Sequence, residues 1–323
     1  MASLNQVLTF LGVVVSIKCI LDLVSFISLY CRPSRLHQFL HGSEPYALIT
    51  GASDGIGKAI AKELYSRGFN VILHGRNEQK LQAVEAEFRK GGSKAVKLWV
   101  ADATSPEVDF DKAIKQWKDL HITLVIHNVG SARPKSGRYV ATYIPKRPHP
   151  HVLCDRLDSI SEKELMDDIY RNSLFPFFFT RAILPKLRQA SGPAEMLYIG
   201  SLAGERPMPH LTPYGATKSF LKQFSGSIGL DERSGIPSNV STVYVNVGSV
   251  VSNSHKIEAN LFSPSSEIYA KSLVDKIGCG RKVLVPYLPH ALQFWPTNVI
   301  PEWMLDRFVK QAMEEEMKLW KKD

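Results

Sequence analysis

An α/β fold, with a parallel sheet covered by helices on both faces, is predicted by three observations in this 323-residue sequence. Six short apolar runs alternate with longer helical patterns over about 200 residues. A glycine-rich turn joins the first run to the first helix. No internal repeat or low-complexity tract interrupts the rhythm, and a hydrophobic content of 44% is enough for one large core.

The elements follow in order. From Val7 to Tyr30 the sequence is mostly apolar and long enough to cross a bilayer, which takes about 20 residues. Lys18 and Asp22 interrupt it at i and i+4, a spacing at which they can neutralise each other. The segment reads as a membrane anchor, or else as a helix packed on the protein's own surface. A basic n-region is missing, and the apolar run is too long for a cleaved signal peptide. Arg32, Arg35 and His37 follow it, a bias that leaves the remainder of the chain on the cytosolic side. Residues 1–32 therefore form the anchor segment, 33–44 a linker, 45–290 the α/β domain and 291–323 an apolar and amphipathic helical tail.

Strands are predicted at Tyr46–Thr50, Asn70–His74, Ala95–Ala101, Ile122–His127, Met196–Gly200 and Val240–Val245. Helical patterns lie between them at Ile56–Arg67, Glu78–Phe88, Glu162–Arg188 and Tyr214–Asp231. Two stretches break the rhythm: Ser131–Asp158, rich in Pro, Arg and His, and the tail from Val283, rich in Pro, Trp and Leu.

Charge and cysteine usage exclude several classes. The net charge of +9 is spread along the chain and interleaved with acids, with no basic stripe, so nucleic-acid binding is not expected. The four cysteines, Cys19, Cys31, Cys154 and Cys279, form no Cys-x-x-Cys pair and suggest neither a zinc site nor a disulfide framework. His37 and His41 lack an acidic third ligand, and His149 and His151 flank Pro150 in an irregular loop, so no metal site is predicted.

Gly51-Ala52-Ser53-Asp54-Gly55-Ile56-Gly57 closes the first strand and opens the first helix, the context a dinucleotide-binding turn requires. Gly51 permits the tight turn, Gly55 lets the backbone approach a pyrophosphate, and Gly57 lets helix and strand pack closely. At the end of the second strand Gly75-Arg76 stands where an acid would hold the ribose hydroxyls of NAD. Arginine there accommodates an extra phosphate and predicts NADPH/NADP+, unless Arg76 is simply a solvated loop residue. Asp102, ending the third strand, meets the adenine amine or caps a helix starting near Pro106. Farther on, Tyr214-Gly215-Ala216-Thr217-Lys218 places a phenol and an ammonium one helical turn apart, with the Ser201 hydroxyl upstream. A lysine beside a tyrosine is expected to lower the phenol's pKa and so ready it to protonate a carbonyl.

These features, in this order, resemble the short-chain dehydrogenase/reductase superfamily over roughly residues 45–290, implying one Rossmann-type doubly wound parallel sheet. Where that family ends its fourth strand in Asn-Asn-Ala-Gly, this sequence has His127-Asn128-Val129-Gly130. The family's Pro-Gly after the sixth strand reads Val247-Gly248, with Val250 and Ser252 keeping their expected cofactor positions.

By the same resemblance, Asn172, Ser201, Tyr214 and Lys218 match the catalytic tetrad. Tyr214 is implied as proton donor, and Ser201 as the group that orients the carbonyl oxygen. Lys218 is implied as ribose contact and pKa modulator, and Asn172 as the residue that positions a relay water. The implied cofactor contacts are Gly51, Ser53, Asp54, Gly55, Ile56, Gly57, Arg76, Asp102, Asn128, Tyr214, Lys218, Val250 and Ser252.

The Asn-Val-Gly ending, and the stretch from Gly278-Cys279-Gly280-Arg281 to Pro289-His290-Ala291-Leu292-Gln293, are similar to the membrane-bound very-long-chain 3-oxoacyl-CoA reductases and 17β-hydroxysteroid dehydrogenases. The resemblance implies an NADPH-dependent reductase of a lipophilic ketone in the endoplasmic reticulum membrane, foremost a 3-oxoacyl-CoA in fatty-acid elongation. A steroid reductase is the second expectation, and a non-catalytic NADPH-binding membrane scaffold the third. Homodimers are usual in the superfamily. In Ser131–Asp158, Arg133, Lys135, Arg138, Lys146 and Arg147 either meet CoA phosphates or form a solvated loop. The final Lys321-Lys322-Asp323 resembles the basic ends of that branch, although Trp320 spoils a dilysine spacing.

Overall fold

The structure, a computed structural model, describes residues 3–131, 157–235, 238–253, 255, 257–298 and 300–319. The readings placed on His149, His151, Cys154, the basic residues between 133 and 147, and Lys321-Lys322-Asp323 lie outside the described residues.

The six predicted strands form as β1 (Pro45–Ile49), β2 (Asn70–Gly75), β3 (Val96–Val100), β4 (His121–His127), β5 (Ala194–Ile199) and β6 (Val240–Val245). The two-residue β7 (Val283–Leu284) is added at the edge. All pairings are parallel, in the order β3-β2-β1-β4-β5-β6-β7. The order reverses between β1 and β4, which opens a crevice at the carboxyl ends of those strands.

Alternation along each strand splits the core in two. Ala47, Ile49, Leu73, Ile126, Leu197 and Val245 face one layer, which includes α2 (Gly55–Ser66) and α8 (Ser266–Val274). Leu48, Ile72, Val125, Met196, Tyr198 and Tyr244 face the other. There they meet Phe175, Phe179, Ile183 and Leu187 of α6 (Phe175–Arg188), and also α7 (Thr212–Asp231). Each large apolar side chain removed from water in this way contributes about 1.5–3 kcal/mol.

Three local findings refine the sequence reading. The helical pattern Glu162–Arg188 is not one helix: α5 (Glu162–Ile169) and α6 are separated by a π-turn at Tyr170–Leu174 that contains Asn172. Such an insertion widens the helix locally and is frequent at functional sites. After β2, α3 (Glu78–Gly91) occupies its predicted place, but α4 (Phe110–Gln116) begins later than the expected start near Pro106. Asp109 caps α4, donating nothing and accepting the Lys112 amide at 2.8 Å. Asp102 instead accepts the Thr104 amide and hydroxyl at 3.0 and 2.9 Å.

The segment predicted as an anchor is a single 28-residue helix, α1 (Leu4–Cys31), with a mean hydropathy of 2.3 in its most apolar stretch and none of that stretch buried. Lys18 and Asp22 pair at 2.6 Å on its surface. Its final turns are tied to the α/β domain, since Tyr30 donates to the Val285 carbonyl at 2.7 Å and Arg281 to the Ser25 carbonyl at 2.6 Å. The linker then docks rather than hanging free, with Leu36 and Phe39 buried in the core. At the other end, α9 (Leu288–Phe294) and α10 (Glu302–Leu319) follow β7, and α9 runs across residue 290.

Candidate active site

The glycine-rich turn stands at the crevice between β1 and β4, and its shape is set by missing side chains. Gly51 and Gly55 have φ of 68° and 54°, in the left-handed region that favours glycine. A Cβ at Gly57 would lie 2.2 Å from the Gly51 carbonyl oxygen and 2.3 Å from Asn128 Nδ2, so only glycine fits. The Asn128 side chain pins the turn from β4, donating to the Thr50 and Gly51 carbonyls at 3.0 and 3.3 Å. Asp54 caps α2 by accepting the Gly55 amide at 2.7 Å, and also accepts from Asn253 at 2.7 Å. A Cβ at Gly55 would stand 3.2 Å from Ser252 Cβ, so the loop after β6 closes against the turn, with Val250 buried beneath it. Ile56 is half-buried and packs against the core.

On the β2 side, Ser53 Oγ lies 3.4 Å from where a Gly75 Cβ would be, and the exposed Arg76 comes next. The Ser53 hydroxyl and the exposed Arg76 thus both stand at the carboxyl end of β2. His74, buried under the turn, accepts the Gly51 amide at 3.4 Å through Nδ1. Burial pushes its pKa down to about 3, which keeps the ring a neutral acceptor. Together with α2's N-terminus these residues make a cradle for an anionic dinucleotide.

Across the crevice the four predicted catalytic residues converge. Lys218 Nζ and Asn172 Oδ1 lie 3.0 and 3.1 Å from the point where a Gly130 Cβ would sit, so glycine leaves the space that both groups enter. Lys218 donates to the Ile199 carbonyl at 2.7 Å and lies 5.5 Å from the centroid of the Tyr214 ring. Asn172 clamps Ser131, accepting its amide and donating to its carbonyl, each at 3.0 Å. Ser201 Oγ accepts the Ala203 amide at 3.2 Å, and the Ser201 hydroxyl is near enough to the Tyr214 phenol to favour its ionised form.

The electrostatics differ from the expectation in one respect. Desolvation pushes the half-buried Tyr214 phenol above its ordinary value, with the Ser201 hydroxyl opposing, so Lys218 does not lower it here. The physical reason is that Lys218 spends its bond on a carbonyl and is itself desolvated. Burial first, and the Arg171 charge second, push its pKa down to about 8. A raised phenol stays protonated at neutral pH, which is the form a proton donor needs.

The family model for short chain dehydrogenase matches residues 45–260, the span from β1 past the loop that follows β6. The chain belongs to this family. Among short chain dehydrogenases it is 31% identical over 263 residues to the very-long-chain 3-oxoacyl-CoA reductase of Kluyveromyces lactis, covering 78% of this chain and 70% of that one. It is 29% identical over 299 residues to the human inactive hydroxysteroid dehydrogenase-like protein 1, covering 90% and 83%. In fold it is similar to a Sphingobium yanoikuyae short-chain dehydrogenase solved with NADPH, at a TM-score of 0.64 and 22% identity, covering 81% and 95%.

Three further residues of this short chain dehydrogenase site have no role assigned from the sequence. His74 supports the cofactor turn, and Tyr244 and His290 support the catalytic floor. His290 is fully buried with Nε2 at 3.1 Å from both the Ser249 and Phe262 carbonyls, tying the loop after β6 to α9. His290 carries a signal in the sequence, the stretch Pro289-His290-Ala291-Leu292-Gln293, whereas Tyr244 carries none, because the glycines at 200 and 204 meet its ring only in the folded chain.

Proposed function

We propose that the protein is an NADPH-dependent ketoreductase of the endoplasmic reticulum membrane that reduces a 3-oxoacyl-CoA to the 3-hydroxyacyl-CoA during fatty-acid elongation. The observation that carries this reading is the convergence of Ser201, Tyr214, Lys218 and Asn172 beside the glycine cradle. When bound, NADPH supplies the hydride. The left-handed Gly51 and Gly55 and the close-packed Gly57 fit its pyrophosphate, while Ser53 and Arg76 fit the phosphate on its ribose.

Each side chain then has a task. Tyr214 Oη gives its proton to the ketone oxygen, and the Ser201 hydroxyl holds that oxygen in line. Lys218 provides positive charge beside the alkoxide that develops, and replacement protons reach Tyr214 through the space it shares with Asn172. The Asn172 amide is committed to Ser131, so its main chain, released from the regular helical ladder in the π-turn, is what positions the relay water.

The substrate class rests on three features besides the names of the relatives. The apolar α1 is long enough to cross a bilayer, which supports a membrane setting. A groove of about 490 Å³, lined by Leu261, Phe262, Leu288, Leu292 and Phe308, borders the loop after β6. Phe262 in that groove is joined through His290 to Ser249, the residue next to the buried Val250. The surface therefore accepts an acyl chain while the ketone lies at Tyr214.

A second reading, a non-catalytic NADPH-binding scaffold, is favoured by the human relative whose name marks it as inactive. A 17β-hydroxysteroid dehydrogenase remains the alternative substrate reading. One assay separates them: NADPH oxidation by the detergent-solubilised full chain against a panel of 3-oxoacyl-CoAs and ketosteroids. Turnover of the acyl-CoAs is expected. Turnover of steroids alone overturns the substrate, and NADPH binding with no turnover of either class favours the scaffold.

A further inference from the structure

Tyr244 stands near the carboxyl end of β6, only 1% exposed, with its ring in the core layer shared with Tyr198, Phe175 and Phe179. Its hydroxyl does not stay in that apolar layer. It accepts the Ser201 amide proton at 3.1 Å and donates to the Ser201 carbonyl at 3.2 Å, so one oxygen closes both main-chain groups of a single residue. The Ser201 carbonyl also receives the Gly204 amide at 2.9 Å, whereas the bond to Tyr244 is what holds the Ser201 amide.

The sequence around Ser201 is cut to fit this phenol. A Cβ at Gly200 would lie 2.1 Å from Tyr244 Cζ, and a Cβ at Gly204 would lie 2.6 Å from its Oη. The same Gly204 Cβ would press on the Lys218 main chain at 2.9 Å, so the turn, the phenol and α7 meet at one point. Main-chain bonds beyond the ends of β5 and β6 hold the residues on either side: Gly200 donates to Val245 at 2.7 Å and Leu202 to Val247 at 3.1 Å. Ser201 itself is held from below by a side chain. Burial keeps that phenol protonated well above the ordinary tyrosine range, so it remains a donor at every working pH.

We propose that Tyr244 is a positioning residue for the reaction: its two-way hydrogen bond fixes the Ser201 main chain, and thereby the direction in which the Ser201 hydroxyl meets the ketone. The inference rests on the proposed role of Ser201 as the group that orients the carbonyl. A small error in that orientation is expensive, since a displacement of about 1 Å at a reacting group lowers rates by about 100-fold.

The test compares the full chain with the variants Tyr244→Phe, Ser201→Ala and the double variant, each assayed on the ketone with highest turnover in the panel above. Tyr244→Phe is expected to lower kcat by about 10- to 100-fold while leaving NADPH affinity unchanged. In the Ser201→Ala background the same substitution is expected to have no further effect, because the residue it positions is gone. An equal loss in both backgrounds, or an unchanged kcat in the single variant, overturns the proposal. Deuterium exchange gives a readout independent of turnover: the Ser201 amide is expected to be protected in the wild-type chain and to exchange faster in Tyr244→Phe. Fast exchange in the wild type, or no change in the variant, also overturns it. Absence of turnover in the wild type with a protected Ser201 amide contradicts the function reading alone.

Discussion

The two walls of the crevice are built by opposite means. The cofactor wall is made largely of absent side chains: Gly51, Gly55, Gly57 and Gly75 leave backbone bare, and Asn128 and His74 merely brace the turn. The catalytic wall is made of bulky polar groups held from behind, with Tyr244 under Ser201, Asn172 gripping Ser131 and Lys218 anchored on Ile199. Added atoms should therefore break the first wall, and removed atoms the second.

Gly57→Ala is the strongest break on the cofactor side, because its Cβ meets main chain rather than a flexible side chain. Overpacking of this kind costs about 1–3 kcal/mol, and we expect NADPH affinity, measured by quenching of protein fluorescence, to fall at least about 10-fold. Arg76→Asp tests the outer edge of the same wall. Losing a charge-assisted bond to a phosphate, worth about 1.5–3 kcal/mol, should weaken NADPH by about 10- to 100-fold while NADH binding holds or improves. Equal losses for both cofactors would remove Arg76 from the selectivity argument.

The catalytic wall has a signature in pH. Lys218 has its pKa lowered to about 8, so its ammonium is present below that value and is lost as pH rises through it. The rate of ketone reduction should decline above about pH 8, approaching one decade per pH unit. A profile flat to pH 10 would show that Lys218 keeps its charge. A smaller effect belongs to the floor of the sheet, away from both walls. Glu195, 2% exposed on β5, accepts from the Gly278 amide at 3.0 Å and the Ser241 hydroxyl at 3.2 Å, and burial raises its pKa to about 7. The unfolded chain ionises this group from about pH 4.5, so wild-type stability falls between that pH and about 7 and then levels off. Glu195→Gln should raise Tm at pH 8 by about 3–6 °C and leave it nearly unchanged at pH 5.

The two walls also differed in how far the sequence disclosed them. The cofactor wall was legible because its chemistry is local: glycines at fixed spacing after an apolar strand specify a turn and a helix start together. Tyr214 and Lys218 were legible for the same reason, being one helical turn apart. What escaped was tertiary. The π-turn at Tyr170–Leu174 lies inside a continuous helical pattern, and only the structure shows that Asn172 interrupts it to reach Ser131. The expected Lys218 effect on Tyr214 depended on where the lysine sends its proton, and that destination, Ile199, is 19 residues away on β5. Tyr244 is 43 residues from the serine it holds. A tyrosine in a buried strand reads as core until the glycines facing its ring are seen.

The most direct measurement is isotope transfer. The solubilised full chain, given a 3-oxoacyl-CoA and NADPH carrying deuterium at both nicotinamide C4 hydrogens, should form a 3-hydroxyacyl-CoA carrying one deuterium at C3, read by mass spectrometry. With Tyr214→Phe the transfer rate should fall by about 100- to 10,000-fold, with NADPH affinity unchanged. Unlabelled product, no product from the wild type, or equal transfer by Tyr214→Phe would contradict the assignment of this crevice as a ketoreductase site.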